Sequence, residues 1–326
     1  MNLDEHFLVL VLALLLDRII GDPQWLWMRV PHPVAIFGRA IGYFDQHFNR
    51  EILSKAQRRQ NGVVAILALS VLAVVTGLVL HWFLMLFGPV GILLEVFCVA
   101  IFLAQKSLSD HVAAVASALK SEGVVGGRKA VSRIVGRDPE TLDEPGVCRA
   151  AIESLAENFS DGVVAPALWY AIFGLPGLFF YKMLNTADSM IGHRSEKYVD
   201  FGWASARLDD IANWPAARLS ILLIAVGAGI RRGTSAFRES FRVGIRDGKL
   251  HRSPNSGRPE AAMAGALDLQ LAGPRVYSGM VVREPMINGT GRDVATADDV
   301  EDGISVFQAS CMALTLLAFV AFVCLL

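Results

Sequence analysis

The chain has 326 residues, a formal net charge of −1, a hydrophobic content of 53% and a mean hydropathy of +0.45. A chain without a basic surplus is not typical of a nucleic-acid-binding protein, so nucleic acid is not an expected partner. The four cysteines are scattered and form no CxxC pair, which argues against a disulfide framework or a zinc site.

Apolar segments follow one another along the chain. A helix needs about 20 apolar residues to cross a hydrocarbon core of roughly 30 Å. Segments 62–87, 163–181 and 304–326 contain no Asp, Glu, Lys or Arg, so each can span a bilayer. The others are shorter or carry charges. The candidate segments are residues 3–20, 62–87, 90–104, 163–181, 214–230 and 304–326.

Two of these segments have unusual features. The start of segment 3–20 is acidic and no small-residue cleavage site follows it, so we interpret it as a retained span rather than a signal peptide. Segment 163–181 contains Gly174, Pro176 and Gly177, which indicate a broken or re-entrant hairpin. The sequence therefore predicts a mainly α, polytopic membrane protein with about 4–6 spans, forming a single domain over residues 1–326.

The polar segments between the spans indicate the orientation. Residues 21–61, 105–162 and 231–303 contain six, seven and eleven Lys and Arg residues, which places them in the cytoplasm by the positive-inside rule. Segment 182–213 would lie outside if 163–181 crossed completely. The hairpin interpretation returns it to the cytoplasmic side.

A first polar motif precedes segment 163–181. Arg149, Glu153 and Glu157 are four residues apart, so the predicted helix 141–158 carries them on one face. Asn158 and Asp161 follow. Spacing alone fits a solvated, ion-paired face equally well. The position beside an apolar segment, where polar groups are costly unless they are paired or functional, favours a functional face.

A second set of polar motifs flanks the next spans. Residues 185–194 include Asn185, Asp188, His193 and Arg194, and residues 207–213 contain Arg207, Asp209, Asp210 and Asn213. Carboxylate and amide oxygens suit magnesium, and arginine forks suit phosphate. Residues 21–33 and 253–259 are predicted loops rich in glycine, proline and serine, and the polar residues in or beside them are Arg18, His32, Arg39 and Asn255. The sequence contains no GxxxxGK[ST] phosphate loop.

Taken together, these motifs resemble the CobD/CbiB family, the adenosylcobinamide-phosphate synthases of cobalamin biosynthesis. Ser195 and Arg258 depart from the Asn and the aromatic residue expected at those positions. The matching stretches follow the family order over nearly the whole chain: residues 17–23, 32–39, 136–138, 153–162, 185–192, 201–213, 253–267 and 273–279.

The resemblance implies a multi-pass enzyme of the inner membrane whose active site faces the cytoplasm. It would join adenosylcobyric acid to (R)-1-amino-2-propanol, or to its O-phosphate, through an amide bond. ATP would be the co-substrate, Mg²⁺ the cofactor, and other membrane-associated late cobalamin enzymes would be possible partners.

For this reaction we expect three groups of residues. The catalytic residues are Glu153, Glu157 and Asp188. The metal ligands are Glu157, Asp161, Asp188, Asp209 and Asp210. The residues that bind substrate or phosphate are Arg18, His32, Arg39, Asn158, Asn185, His193, Arg194, Arg207, Asn213 and Asn255.

Two other functions remain open on the sequence. Asn185-x-x-Asp188 and Asp209-Asp210-x-x-Asn213 superficially match magnesium–diphosphate motifs, so a membrane prenyltransferase is one alternative. A non-catalytic corrinoid carrier or scaffold is the other. In that case alanine at Glu157 or Asp210 would leave function largely intact.

Overall fold

The computed structural model describes residues 2–326 apart from residues 137, 274, 278–279 and 283–284, and without the side chains of residues 24, 275–277 and 280–282. The predicted family motifs 136–138 and 273–279 therefore lie partly outside the described residues. The structure is 78% helical, and the mainly α prediction is confirmed.

The described residues form helices joined by short loops, with a 3-10 turn at Pro139–Thr141 and a π-helical turn at Ser160–Val164. The helices are α1 (Leu3–Ile20), α2 (Gln24–Trp27), α3 (Pro33–Phe48), α4 (Lys55–Met85), α5 (Pro89–Ile101), α6 (Gln105–Val131), α7 (Glu144–Phe159), α8 (Ala165–Ile191), α9 (Trp203–Arg232), α10 (Thr234–Asp247), α11 (Gly257–Leu267) and α12 (Ala297–Leu325).

Four short strands form two antiparallel pairs between α11 and α12. Strand β1 (Leu271–Ala272) pairs with β4 (Met286–Ile287), with Leu271 opposite Ile287. Strand β2 (Arg275–Tyr277) pairs with β3 (Met280–Val282).

Five helical stretches of the described chain are long and apolar enough to cross a membrane, so the protein is a polytopic membrane protein, as predicted. Helix α1 is not among them, since it carries charges at both ends, and its crossing stays a prediction. The stretches are Lys55–Met85, Pro89–Val131, Glu144–Ile191, Trp203–Arg232 and Ala297–Leu325.

Glycine reverses the chain inside α8. Gly174 has φ 62° and ψ −152°, a conformation that L side chains rarely adopt. The rings of Trp169 and Phe180 lie 5.2 Å apart between centroids, whereas eleven residues of straight helix would separate them by about 16 Å. Helix α8 is therefore a helical hairpin. Its break lies at Gly174, one of the residues from which the sequence predicted a hairpin. The path of this hairpin through the bilayer stays a prediction.

The contacts divide the chain into two compact units. The first unit comprises Met1–Leu103, Ala165–Asn213 and Ala318–Leu326, and the second comprises Ala104–Val164 and Trp214–Leu317. The prediction of a single domain is not tested by this division.

The first unit packs α4 and α3 against the α8 hairpin, and α1 against α5 and α8. A Cβ at Gly77 of α4 would lie 2.7 Å from the Cα atom of Pro176, so only glycine permits this approach. Glu95 of α5 has no exposed surface. It accepts a hydrogen bond from the Tyr170 hydroxyl at 2.6 Å and lies 2.8 Å from Nδ1 of His81.

The second unit encloses α7, which packs against α6 and α11. Glu153 is only 4% exposed, and most residues of α7 are buried. The alternative of a solvated, ion-paired face for α7 is therefore wrong. The sequence pattern could not show this, because part of the cover comes from α11 and β1, which lie about 100 positions further along the chain.

Candidate functional site

The first candidate site, the α8–α9 cluster, consists of Asn185, Asp188, Asp209 and Asn213 in the first unit. Asn213 Nδ2 donates to Asp209 Oδ2 at 2.9 Å, as expected for residues four apart on one helix face. The Tyr181 hydroxyl donates to Asn213 Oδ1 at 2.8 Å. Asp209 and Asn213 are 8% and 1% exposed. The cluster is therefore a buried polar group at the junction of two helices.

Two carboxyl groups approach each other in this cluster. The charge of Asp188 acts on Asp209, and the amide of Asn185 faces the same carboxyl group. Oδ1 of Asp209 is buried and has no hydrogen-bond partner among the described residues. A buried carboxylate beside another carboxylate needs a compensating proton or cation. The cluster is thus rich in acceptor oxygens and holds one buried oxygen able to take a further ligand.

This donor set fits a magnesium ion. Mg²⁺ prefers oxygen ligands and is usually held by only one or two protein carboxylates, with waters and substrate phosphates completing its shell. Asp188 and Asp209 supply those carboxylates. Within the described residues, no three His, Cys, Asp or Glu side chains form a metal-binding group by themselves. The five predicted metal ligands therefore remain a prediction.

Basic residues border the α8–α9 cluster. Asp210 lies within the electrostatic influence of Arg207 and Arg194. Both arginines and His193 are exposed. A Cβ at Gly192 would lie 1.9 Å from Asp188 Oδ1, so glycine is required for the approach of this carboxylate to the backbone. The exposed guanidinium groups are available to an anionic substrate.

Three other predicted residues of the first unit lie on α1 and at α3. His32 caps α3, since its Nδ1 accepts from the backbone N–H of Val34 at 3.2 Å. Arg39 is exposed on α3, and Arg18 lies in the last turn of α1. Gly38 lies against Met190, so α3 borders the end of α8 that carries Asp188. The structure gives His32 a capping role that the sequence did not identify.

The second candidate site, the α7–α11 cluster, brings two predicted motifs of the second unit together. Glu157 Oε1 accepts from the Ser256 hydroxyl at 2.8 Å. Glu153 Oε1 accepts from the backbone N–H of Ala272 at 2.7 Å. Asn255 Oδ1 accepts from Arg218 at 2.9 Å. The acidic face of α7 therefore meets the loop before α11, as a shared site requires.

The remaining predicted residues of this unit have local roles. Asn158 Nδ2 donates to the carbonyl oxygen of Ser154 at 2.9 Å. Asp161 lies in the π-helical turn and is half-buried. Turns of this kind occur frequently at functional sites.

Sequence reasoning missed three residues of these clusters. Tyr181 was not singled out, because it is the last residue of an apolar segment. Ser256 was interpreted only as part of a loop. Arg218 lies in segment 214–230, which we predicted only as an apolar segment that carries a charge. A charge within an apolar segment is itself a functional signal. The guanidinium of Arg218 stacks 4.3 Å from the ring centroid of Trp214 while binding Asn255.

Comparison with known proteins assigns the chain to a family. The sequence profile described as CobD/Cbib protein matches residues 10–307. The chain belongs to the CobD/CbiB family. The resemblance based on scattered motifs is thereby confirmed over nearly the whole length.

Curated members of the CobD/CbiB family from three organisms show the extent of the similarity, and each is named Cobalamin biosynthesis protein CobD. A protein of Sinorhizobium sp is 66% identical over 93% of this chain and 94% of its own length. One from Brucella anthropi is 52% identical over 98% of both chains, and one from Rhodobacter capsulatus is 44% identical over 94% and 95%. No solved structure matches the chain.

Proposed function

We propose that this protein acts in cobalamin biosynthesis, forming the amide bond between adenosylcobyric acid and (R)-1-amino-2-propanol or its O-phosphate. Membership of the CobD/CbiB family and the names of its curated relatives support the pathway. The observation that carries the chemistry is the α8–α9 cluster, where Asp209 is buried beside Asp188 and keeps one unpartnered oxygen.

Amide formation from a free acid requires activation, because a carboxylate does not react with an amine at neutral pH. We propose that an oxygen of the substrate carboxylate attacks the γ-phosphorus of ATP and ADP leaves. The amine nitrogen then bonds to the acyl carbon and phosphate departs with the transferred oxygen. The ammonium proton passes to a carboxylate of the chain.

The residues of this chain would bind and position the reactants. Asp188 and Asp209 would hold Mg²⁺, which when bound would neutralise the charge of the phosphoryl groups. Arg194 and Arg207 would pair with phosphate or propionate groups, since the guanidinium fork matches such anions. In the second unit, Glu157 accepts a hydrogen bond from the Ser256 hydroxyl and would bind a polar group of the substrate.

Reconstitution tests this proposal. Purified protein in detergent would receive adenosylcobyric acid, aminopropanol phosphate, ATP and Mg²⁺, and mass spectrometry would detect the amide product. We expect product from the wild type and a loss of about 100-fold or more in Asp188→Asn and Glu157→Gln. Glu140→Gln, at an exposed site outside both clusters, is the matched control and should retain full turnover.

A prenyl diphosphate with a suitable acceptor provides the competing arm of this assay. Prenyl transfer without corrinoid amidation would favour the prenyltransferase alternative. Corrinoid binding with no product from either substrate would favour a carrier.

Isotope transfer tests the activation step. Adenosylcobyric acid labelled with ¹⁸O in its free carboxyl group should transfer one ¹⁸O atom to inorganic phosphate for each amide formed. Label found in AMP would indicate adenylation instead and would refute attack on the γ-phosphorus.

A further inference from the structure

Helix α10 begins directly where a membrane-length helix ends. Helix α9 finishes with Arg231 and Arg232, and Gly233, at φ 90°, turns the chain before α10 starts at Thr234. Segment 231–252 contains seven Lys and Arg residues against two acidic residues. The end of a spanning helix lies at the level of the lipid headgroups, so α10 begins at that level.

Helix α10 has two distinct faces. Its inner face packs on α11, where the Ser240 hydroxyl donates to the Ala262 carbonyl oxygen at 2.8 Å and Val243 is fully buried. Its outer face exposes Phe241 and Ile245, at 42% and 51%. Positions 238 and 242 lie beside positions 241 and 245 on the helix surface. Apolar and basic side chains therefore share the outer face.

The cations of this region differ in their pairing. Arg242 is paired with Glu239, and Arg246 with Asp247. Arg238 and Lys249 are exposed and form no ion pair within the described part of the chain. The outer face of α10 thus presents one uncompensated positive charge, Arg238, beside exposed apolar side chains, and the turn after the helix adds a second, Lys249.

We propose that the outer face of α10 lies on the bilayer surface and binds the headgroups of anionic lipids. An amphipathic helix with basic residues beside Phe and Ile is suited to the interface, where its apolar side chains enter the headgroup boundary and its cations meet phosphate. Because α10 is attached to a spanning helix, it stays next to the membrane. The lipid surface is therefore the partner that its outer face contacts.

Two measurements on the full-length protein in nanodiscs test this assignment. The first is native mass spectrometry of retained lipid from mixed phosphatidylglycerol and phosphatidylcholine. Arg238→Gln/Lys249→Gln should retain less phosphatidylglycerol, by about fivefold for each cation removed. Lys129→Gln/Arg133→Gln removes two exposed cations elsewhere in the same unit and should match the wild type.

The second measurement uses Phe241→Trp as a reporter against the wild-type background. Lipids brominated on the acyl chain should quench the added fluorescence, and more strongly in phosphatidylglycerol than in phosphatidylcholine. Equal lipid retention by both double variants, or no quenching at position 241, would overturn the proposal. The proposal would also be overturned if an acidic protein, and not lipid, covered position 241 and shielded its fluorescence from the brominated lipid.

Discussion

At the scale of single residues, the buried hydrogen-bond network around Glu95 is an important feature of the first unit. Glu95 has no exposed surface and meets Tyr170 and His81 from two other helices. Removal of one partner from a buried polar network leaves the others unsatisfied. Such networks are therefore sensitive points of the fold.

We predict that Glu95→Ala lowers the free energy of unfolding by about 3 kcal/mol. Glu95→Gln keeps an acceptor for the Tyr170 hydroxyl and should lose about 1 kcal/mol. Thermal unfolding in detergent, followed by fluorescence, gives the order of the midpoints. Identical midpoints for the wild type and both variants would contradict the role assigned to this network.

The sequence predicted that Asn213 binds substrate, but its burial and its hydrogen bonds lead us to predict instead that it positions Asp209. It is 1% exposed and bonds both Tyr181 and Asp209. Asn213→Ala should lower kcat about tenfold or more with little change in KM, because Asp209 loses its orientation. Tyr181→Phe, which removes one hydrogen bond, should have a smaller effect. A raised KM with unchanged kcat would instead indicate substrate binding.

At the scale of elements, the α8 hairpin depends on Gly174. We predict that Gly174→Ala lowers stability by roughly 1–2 kcal/mol, since its φ of 62° is unfavourable for alanine and its Cβ would lie 3.0 Å from the His6 ring. Gly42→Ala in α3 is the control, because nothing lies within 4 Å of its Cβ. It should stabilise its helix slightly. Equal shifts in unfolding temperature would argue against the hairpin.

Helix α10 ends on a pH-sensitive contact. Hydrogen bonds from Arg246 at 2.6 Å, aided by the backbone N–H of Asn288, hold the pKa of Asp247 below its ordinary 3.8. The folded state thus binds this proton less readily than the unfolded chain. The contribution to stability is complete above pH 3.8 and is lost as pH falls below it.

Asp247→Asn should therefore be less stable than the wild type near neutral pH. The gap in unfolding temperature should narrow as pH falls below about 4. Unfolding curves in a pH series would show this. A gap that widens in acid would contradict the assigned sign.

The spacing of residues in the sequence predicted which side chains share one face of a helix. It did not predict which side chains of two different helices are in contact. Asp209 and Asn213 were correctly placed on a shared face, because the period of the helix fixes their separation. The contact of Glu157 with Ser256 spans 99 residues, and no periodicity encodes it. The burial of α7 escaped prediction for the same reason.

At the scale of the whole molecule, hydropathy predicted the class. Uncharged segments long enough to span a bilayer have few other uses, so a mainly α membrane fold followed from length and charge alone. Family membership followed from the order of the motifs. The division into two compact units was not predicted, because each unit is assembled from segments that are separated in the sequence.

The measurement that bears most directly on the α8–α9 cluster is the turnover of Asp209→Asn in the reconstituted amidation assay. This change keeps the size of the side chain and leaves the hydroxyl of Tyr181 its partner in Asn213. We predict at least about a 100-fold loss of product formation with an unfolding temperature close to that of the wild type. Turnover equal to the wild type in a correctly folded variant would show that the reaction takes place without this carboxylate.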